Sequence, residues 1–185
     1  DLSVSLIQGN IPQDLKWLTE YQVETLKIYA TLTRTEWGRD IVLWPESSIP
    51  MFQTEAVGFI NEMVKMAKET DTTWVTGIPY KDEAAFDAST DKYPPLRVRG
   101  HNLGAAICYE VAYPDTTRKN AIGTDFLLTI SNDAWFGTSA GPLQHLQMVQ
   151  MRALENGRWF MRATNTGVTA IIDHKGRIVE RAPQF

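Results

Sequence analysis

The strongest constraint on the fold is a rhythm of short apolar runs separated by helical segments. Leu2-Ser-Val-Ser-Leu-Ile7, Asp40-Ile-Val-Leu-Trp44 and Thr72-Thr-Trp-Val-Thr76 read as strands, each closed by turn chemistry or proline. Between them, Trp17 to about Thr35 carries apolar side chains at Leu18, Tyr21, Leu26, Tyr29 and Leu32. Phe59, Ile60, Met63, Val64 and Ala67 repeat that spacing, which gathers apolar groups on one helix face. The runs Asn102–Ile107 and Asp125–Ile130 are dominated by apolar residues, as expected of core strands in a parallel sheet. Gly141-Pro142 opens a long helix containing Leu146, Val149, Met151, Ala153 and Leu154. Finally, Thr166–Ile172 and Arg177–Val179 flank Asp173-His-Lys-Gly176, a hairpin signal. Alternation of this kind predicts an α/β fold with helices covering a sheet.

Composition bounds the function. The 185 residues suit one domain, and 43% hydrophobic with 22% charged residues is enough to build a core. A net charge of −4 gives no basic footprint, so nucleic acid is not an expected partner. A single cysteine excludes an intramolecular disulfide and assigns no compartment. No apolar stretch approaches the ~18 residues of a membrane span, and there is no signal-peptide core. The chain opens on Asp1, directly at its first strand, and reads as a piece of something longer. No His/Cys/Asp cluster has metal-ligand spacing and no glycine-rich phosphate loop occurs, so neither metal nor cofactor is expected.

Three segments share one architecture, an apolar strand ending in a polar or acidic group. They are Ile41-Val-Leu-Trp-Pro-Glu46, Ala106-Ile-Cys-Tyr-Glu110 and Leu128-Thr-Ile-Ser-Asn-Asp133, the last followed by Ala-Trp-Phe-Gly137. In parallel neighbours, Glu46, Cys108 and Asn132/Asp133 emerge at one edge of the sheet, where α/β folds place ligands and catalytic groups. Cys108 reads either as a nucleophile or as a small buried hydrophobe. Glu46 reads either as its general base or as a surface carboxylate after a proline turn. A thiol of ordinary pKa is only a few per cent ionised at neutral pH, so a base is needed. His101 precedes the Cys108 strand and falls at its far end, roughly 23 Å away at ~3.3 Å per residue. His145 reads as a packed or exposed helix residue, which disfavours a Cys–His dyad. Trp17 and Trp135 follow strand ends on the same edge and suit a fatty or bulky substrate, or plug the core.

Taken in order, these motifs resemble the carbon–nitrogen hydrolase (nitrilase) superfamily. Trp44-Pro-Glu46, Ile107-Cys-Tyr-Glu110 and Ser131-Asn-Asp-Ala-Trp-Phe-Gly137 carry that likeness. Gln8-Gly-Asn-Ile-Pro-Gln-Asp-Leu-Lys-Trp17, Gln147–Glu155 and Thr164-Asn-Thr-Gly167 narrow it to the periplasmic domain of the bacterial apolipoprotein N-acyltransferase family. The resemblance covers nearly the whole chain outside residues 81–95. It implies an αββα sandwich of the nitrilase type and a Glu–Lys–Cys triad, with Glu46 as base and Cys108 as nucleophile. It further implies a supporting carboxylate at Glu110, an oxyanion donor in the Tyr109 backbone N–H, and substrate contacts at Trp17, Asn132 and Trp135. The implied chemistry takes an acyl chain from a phospholipid donor onto the cysteine as a thioester. The chain then passes to the diacylglyceryl-cysteine amine of an apolipoprotein acceptor, at the inner membrane facing the periplasm.

One departure stands out. The family's catalytic lysine lies in an interval between the third strand and the cysteine strand, before a His-Leu-Val-Pro-Phe-Gly-Glu-like run that does not occur here. Lys81 and Lys92 occupy that interval without the apolar context, and Glu46 and Cys108 are only 62 positions apart. The catalytic lysine is therefore not identifiable. The expectation is a segment missing within 81–95, together with absent flanking membrane helices. Without periodicity, the stretch reads as a loop of about sixteen residues, long for its kind. The same Glu46 and Cys108 would also serve a soluble amidase or nitrilase, and an inactive lipid- or lipoprotein-binding domain is the non-enzymatic alternative.

Overall fold

The computed structural model describes residues 1–79 and 94–184. β1 (Val4–Leu6), β2 (Ile41–Leu43) and β3 (Thr73–Val75) pair in that order as a parallel three-stranded sheet. The short α1 (Gln13–Lys16) and α2 (Thr19–Thr33) link β1 to β2, and α3 (Val57–Glu69) links β2 to β3. A second sheet holds β4 (Leu96–Val98), β5 (His101–Ile107), β6 (Phe126–Ser131), β7 (Trp159–Thr164), β8 (Ala170–Ile172) and β9 (Ile178–Arg181) in sequence order. β5, β6 and β7 run parallel, whereas β4, β8 and β9 pair antiparallel at the flanks. The parallel crossovers carry α4 (Pro114–Ala121) and α5 (Gly141–Asn156).

Period-two alternation builds the layers. Ile41 and Leu43 face the other sheet and meet Leu103, Leu128, Ile130 and Met161. Their neighbours Val42 and Trp44 point the opposite way, into a cluster with Tyr29 of α2 and Met63 of α3. On the second sheet, Leu127 and Phe160 pack with Leu146, Val149 and Ala153 of α5. The result is helix, sheet, sheet, helix: an αββα sandwich.

The strand ends read from sequence as one edge thus belong to two sheets. Three elements escape periodicity for identifiable reasons. α4 buries only Thr117, Asn120 and Ala121, so its sequence reads as a polar connection. β7 carries Arg162 and Thr164 at buried positions, which breaks its apolar signature. β4 is three residues long. The anticipated strand from Thr166 forms only over β8. Lys81, Lys92 and most of the 81–95 stretch lie outside the described residues. Among the described residues, no helix is long and apolar enough to cross a membrane.

Candidate active site

The carboxyl ends of the two parallel sets meet where Lys16, Glu46 and Cys108 interact. β5 stops at Ile107, and Cys108 turns the chain with φ +51° into a short 3-10 turn over Cys108–Ala112. Positive φ is costly for any residue with a Cβ, so the surroundings must hold it. Two contacts do. The Ile107 N–H donates to the Glu110 carboxylate at 2.7 Å, and His145 Nε2 lies 3.0 Å from the Cys108 carbonyl oxygen. Asn10 and Ser47, in the loops after β1 and β2, also have positive φ, at +53° and +49°. Strained backbone therefore collects on this edge.

The Cys108 thiol is half-buried, and burial pushes its pKa up. The Glu46 carboxylate adds to this through its charge and by accepting a hydrogen bond from the thiol, while the Ser131 hydroxyl and the Asn132 backbone N–H pull the other way. Cys108 is thus a resting thiol whose proton is aimed at a carboxylate. Such a group can surrender that proton as its sulfur attacks. Glu46 follows Pro45 on a turn pressed against Gly77. A Cβ on Gly77 would sit 2.6 Å from the Ser47 nitrogen and 2.7 Å from the Glu46 Cα, so only glycine allows this approach.

Lys16 joins the site unannounced by the sequence. Although at the end of α1, it is only 2% exposed, and its Nζ donates to the Glu46 carbonyl at 3.2 Å. Burial lowers its pKa to about 8, against the opposing pull of the Glu46 and Cys108 charges. A lysine between Leu15 and Trp17 in a polar loop carries no local sign of burial; only the closing of the two sheets creates it. Trp17 lies beside it, with the Lys16 ammonium 5.5 Å from the ring centroid, and is 47% exposed.

The remaining expected residues divide between framework and rim. Asn132 is buried. Its Nδ2 donates to Gln13 Oε1 at 3.0 Å, and its Oδ1 accepts from Asn165 Nδ2 at 3.2 Å. Asn165 in turn exchanges hydrogen bonds with the Ile11 backbone at 2.8 and 2.9 Å, stitching the two halves together. Tyr109 is exposed, and its N–H falls in the first turn of the 3-10 segment, where amides have no partner within the helix. Trp135, in the 3-10 turn Asp133–Phe136, is 73% exposed. Glu110 supports the Cys108 turn as described.

Asp133 lies behind the cysteine. Its Oδ1 accepts from Ser131 Oγ at 2.7 Å and meets His145 Nδ1 at 2.8 Å, and its Oδ2 accepts from Arg162 at 2.7 Å. These partners hold its carboxyl below the usual range despite burial. A Cβ on Gly167 would come within 2.4 Å of Asp133 Oδ2, so this position too must be glycine. His145, read as a packed or exposed helix residue, is the packed kind, buried with its Nε2 against the Cys108 carbonyl oxygen. His101 lies at the start of β5, as expected. Among the described residues, no group of His, Cys, Asp and Glu could hold a metal.

The family model for carbon–nitrogen hydrolases matches residues 83–185, more than half of the chain. The chain belongs to the carbon–nitrogen hydrolase family. Relatives named apolipoprotein N-acyltransferase are 36% identical in Photobacterium profundum and 37% identical in Pseudomonas putida, each matched over the whole of this chain. The chain spans about half the length of these relatives, 47% and 46%. Among solved structures, Saccharomyces cerevisiae Nit3 superposes with a TM-score of 0.77 at 17% identity, over 99% of this chain and 86% of its own. XC1258 of Xanthomonas campestris, a superfamily member with an arsenic adduct in its active site, gives 0.75 at 17% identity, over 98% and 86%. At that identity the likeness fixes the fold, and this carbon–nitrogen hydrolase domain shares it.

Proposed function

We propose that this domain catalyses N-acylation of an apolipoprotein, with a phospholipid as donor and Cys108 as the acyl carrier. The observation that carries the reading is the Cys108 thiol, held on a strained turn within reach of the Glu46 charge, which favours the protonated sulfur. Glu46 takes the thiol proton as the sulfur attacks the ester carbonyl of the donor. The resulting oxyanion is received by the Tyr109 backbone N–H, a donor type worth ~3–4 kcal/mol in acyl transfer. Collapse expels the lysophospholipid alkoxide, which takes the proton back from Glu46, and leaves an S-acyl thioester. The acceptor amine then attacks, Glu46 removes its proton, and the thiolate leaves and is reprotonated. The exposed aromatic rim of Trp17, Tyr109 and Trp135 suits an acyl donor, and Asn132 acts through its backbone N–H toward the sulfur. The names of the relatives support an apolipoprotein acceptor; in this reading the parent protein works at the inner membrane with this domain facing the periplasm.

We also propose that the parent protein carries more chain within residues 81–95, along with flanking membrane helices. In support, the matches to the two relatives extend over 242 and 234 positions, against 185 residues here. An intact mass well above 20.9 kDa is expected for the natural protein, and a mass at that value would mean a real deletion.

The test of function is incubation of the complete chain with phospholipid followed by mass analysis of Cys108, the one cysteine present. An acyl adduct that disappears on adding the acceptor amine is expected, and Cys108→Ala should abolish it. No adduct would overturn the reading in favour of an amidase or a binding domain.

A further inference from the structure

The acyl-transfer steps leave a buried charged cluster unused. Asp133 is 1% exposed, His145 3% and Arg162 0%, and all three stand directly behind the nucleophile. Asp133 is a carboxylate, since it accepts from the Arg162 guanidinium, which is always charged, and from the Ser131 hydroxyl. A carboxylate can only accept, so the His145 Nδ1 that meets it at 2.8 Å must carry a proton. The other ring nitrogen, Nε2, lies 3.0 Å from the backbone carbonyl oxygen of Cys108, which also can only accept. Both ring nitrogens face acceptors, so both donate.

We propose that His145 is an imidazolium positioning residue for Cys108. It clamps the carbonyl of the left-handed nucleophile turn and sets a buried positive charge behind the sulfur. With one carboxylate shared between His145 and Arg162, the cluster keeps one net positive charge next to Cys108. A cation so placed favours the thiolate. It opposes Glu46, whose charge favours the thiol, and acts alongside the Lys16 ammonium, which also interacts with the Cys108 charge. Of the remaining ionisable neighbours, Glu110 holds the same turn through the Ile107 N–H at 2.7 Å, and the Tyr109 ring lies tilted to the imidazole with centroids 6.3 Å apart. The hydroxyl of Ser131 connects cluster and sulfur, lying 2.7 Å from Asp133 Oδ1 and 3.7 Å from Cys108 Sγ. One hydroxyl proton serves only one of these at a time, so it can pass from the carboxylate to the sulfur when the thiolate forms. The role in acyl transfer rests on the function proposed above, but the clamp and its charge do not.

The experiment therefore uses no acyl substrate. Nitrogen-15 spectra of the intact protein at neutral pH should show both ring nitrogens of His145 in the protonated range. A single unprotonated nitrogen would overturn the proposal. In parallel, iodoacetamide alkylation of Cys108 is followed against pH in wild type, His145→Gln and His145→Asn. Glutamine keeps a donor for the Cys108 carbonyl and asparagine keeps one for Asp133, yet neither carries charge. Both variants should move the alkylation profile to higher pH. The rate at neutral pH should fall about three- to fourfold for every pH unit that the profile moves, because a more basic thiolate is also more nucleophilic and the limiting rate at high pH rises about threefold. Folded variants with an unmoved profile would reduce His145 to packing and overturn the proposal. If either variant fails to fold, the wild-type spectrum decides. An imidazolium spectrum with no thioester from phospholipid would leave the clamp standing and remove only the acyl-transfer reading.

Discussion

The wall of the site that carries Cys108 and the wall that carries Glu46 differ in where their charges are balanced. Behind Cys108 the charges meet inside the wall: Asp133, after β6, answers both Arg162 of β7 and His145 of α5 through bonds of 2.7–2.8 Å, with one positive charge left over. On the other wall, Glu46 is placed by backbone packing against Gly77, and among the described residues Lys16 reaches the carbonyl of Glu46 rather than its carboxylate. The nucleophile is thus fixed by a network that resists change. In the proposed mechanism the Glu46 carboxylate keeps its acceptor atoms for the thiol and the substrate.

The comparison breaks most visibly at Glu46. Glu46→Gln should lower the rate of thioester formation by ~10²–10⁴, the usual worth of a general base, with little loss of stability. It should also move Cys108 alkylation to lower pH, opposite in sign to the His145 variants, because the carboxylate now raises the thiol pKa. An unchanged acylation rate would remove Glu46 from the chemistry. On the opposite wall the cost is in folding. Asp133→Asn leaves buried cations uncompensated and should destabilise by ~3–5 kcal/mol in urea unfolding. Adding Arg162→Met should cost much less than the sum of the two single changes, because the residues share one network. Additive losses would mean that the cluster is not a unit.

Lys16 sharpens the contrast through pH. Its pKa is about 8 in the folded chain against 10.5 for an ordinary lysine, so between those values the unfolded chain binds more protons. Unfolding free energy therefore rises with pH across that window. Lys16→Met removes the buried ammonium and should be the more stable protein at pH 7, by on the order of 3 kcal/mol. Its advantage should shrink as pH climbs from about 8 to 10.5. The difference between the two unfolding curves isolates Lys16 from Tyr29, whose raised pKa tilts both proteins equally, and leaves only the charge coupling of Lys16 to Glu46 and Cys108. A pH-independent difference would show that Lys16 is not a buried cation.

The same contrast explains what could be read from sequence. Trp44-Pro-Glu46 and Ile107-Cys-Tyr-Glu110 were readable because an apolar run ending abruptly in a functional group is a local pattern. The four layers followed from strand and helix alternation once the resemblance supplied a second sheet. The roles of Lys16 and His145 were not readable: Lys16 looks like a surface residue in its own segment, and the helical spacing leaves His145 either packed or exposed. Burial comes to them from the opposite sheet or from a neighbouring strand end. Arg162 hid β7 for the same reason: a guanidinium in a strand is intelligible only beside Asp133, twenty-nine positions earlier.

The smallest effect belongs to the rim, which takes part in neither wall. Trp135 is 73% exposed, so replacing it removes few packing contacts. Trp135→Ala should shift stability by no more than ~0.5 kcal/mol, as surface substitutions usually do. If the ring enters lipid during acyl loading, part of its apolar area is buried only then, and its loss should weaken binding to phospholipid vesicles about tenfold. A vesicle affinity equal to wild type would make the ring a bystander. A large stability loss would instead make it a structural plug, and the aromatic rim would no longer support a lipid substrate.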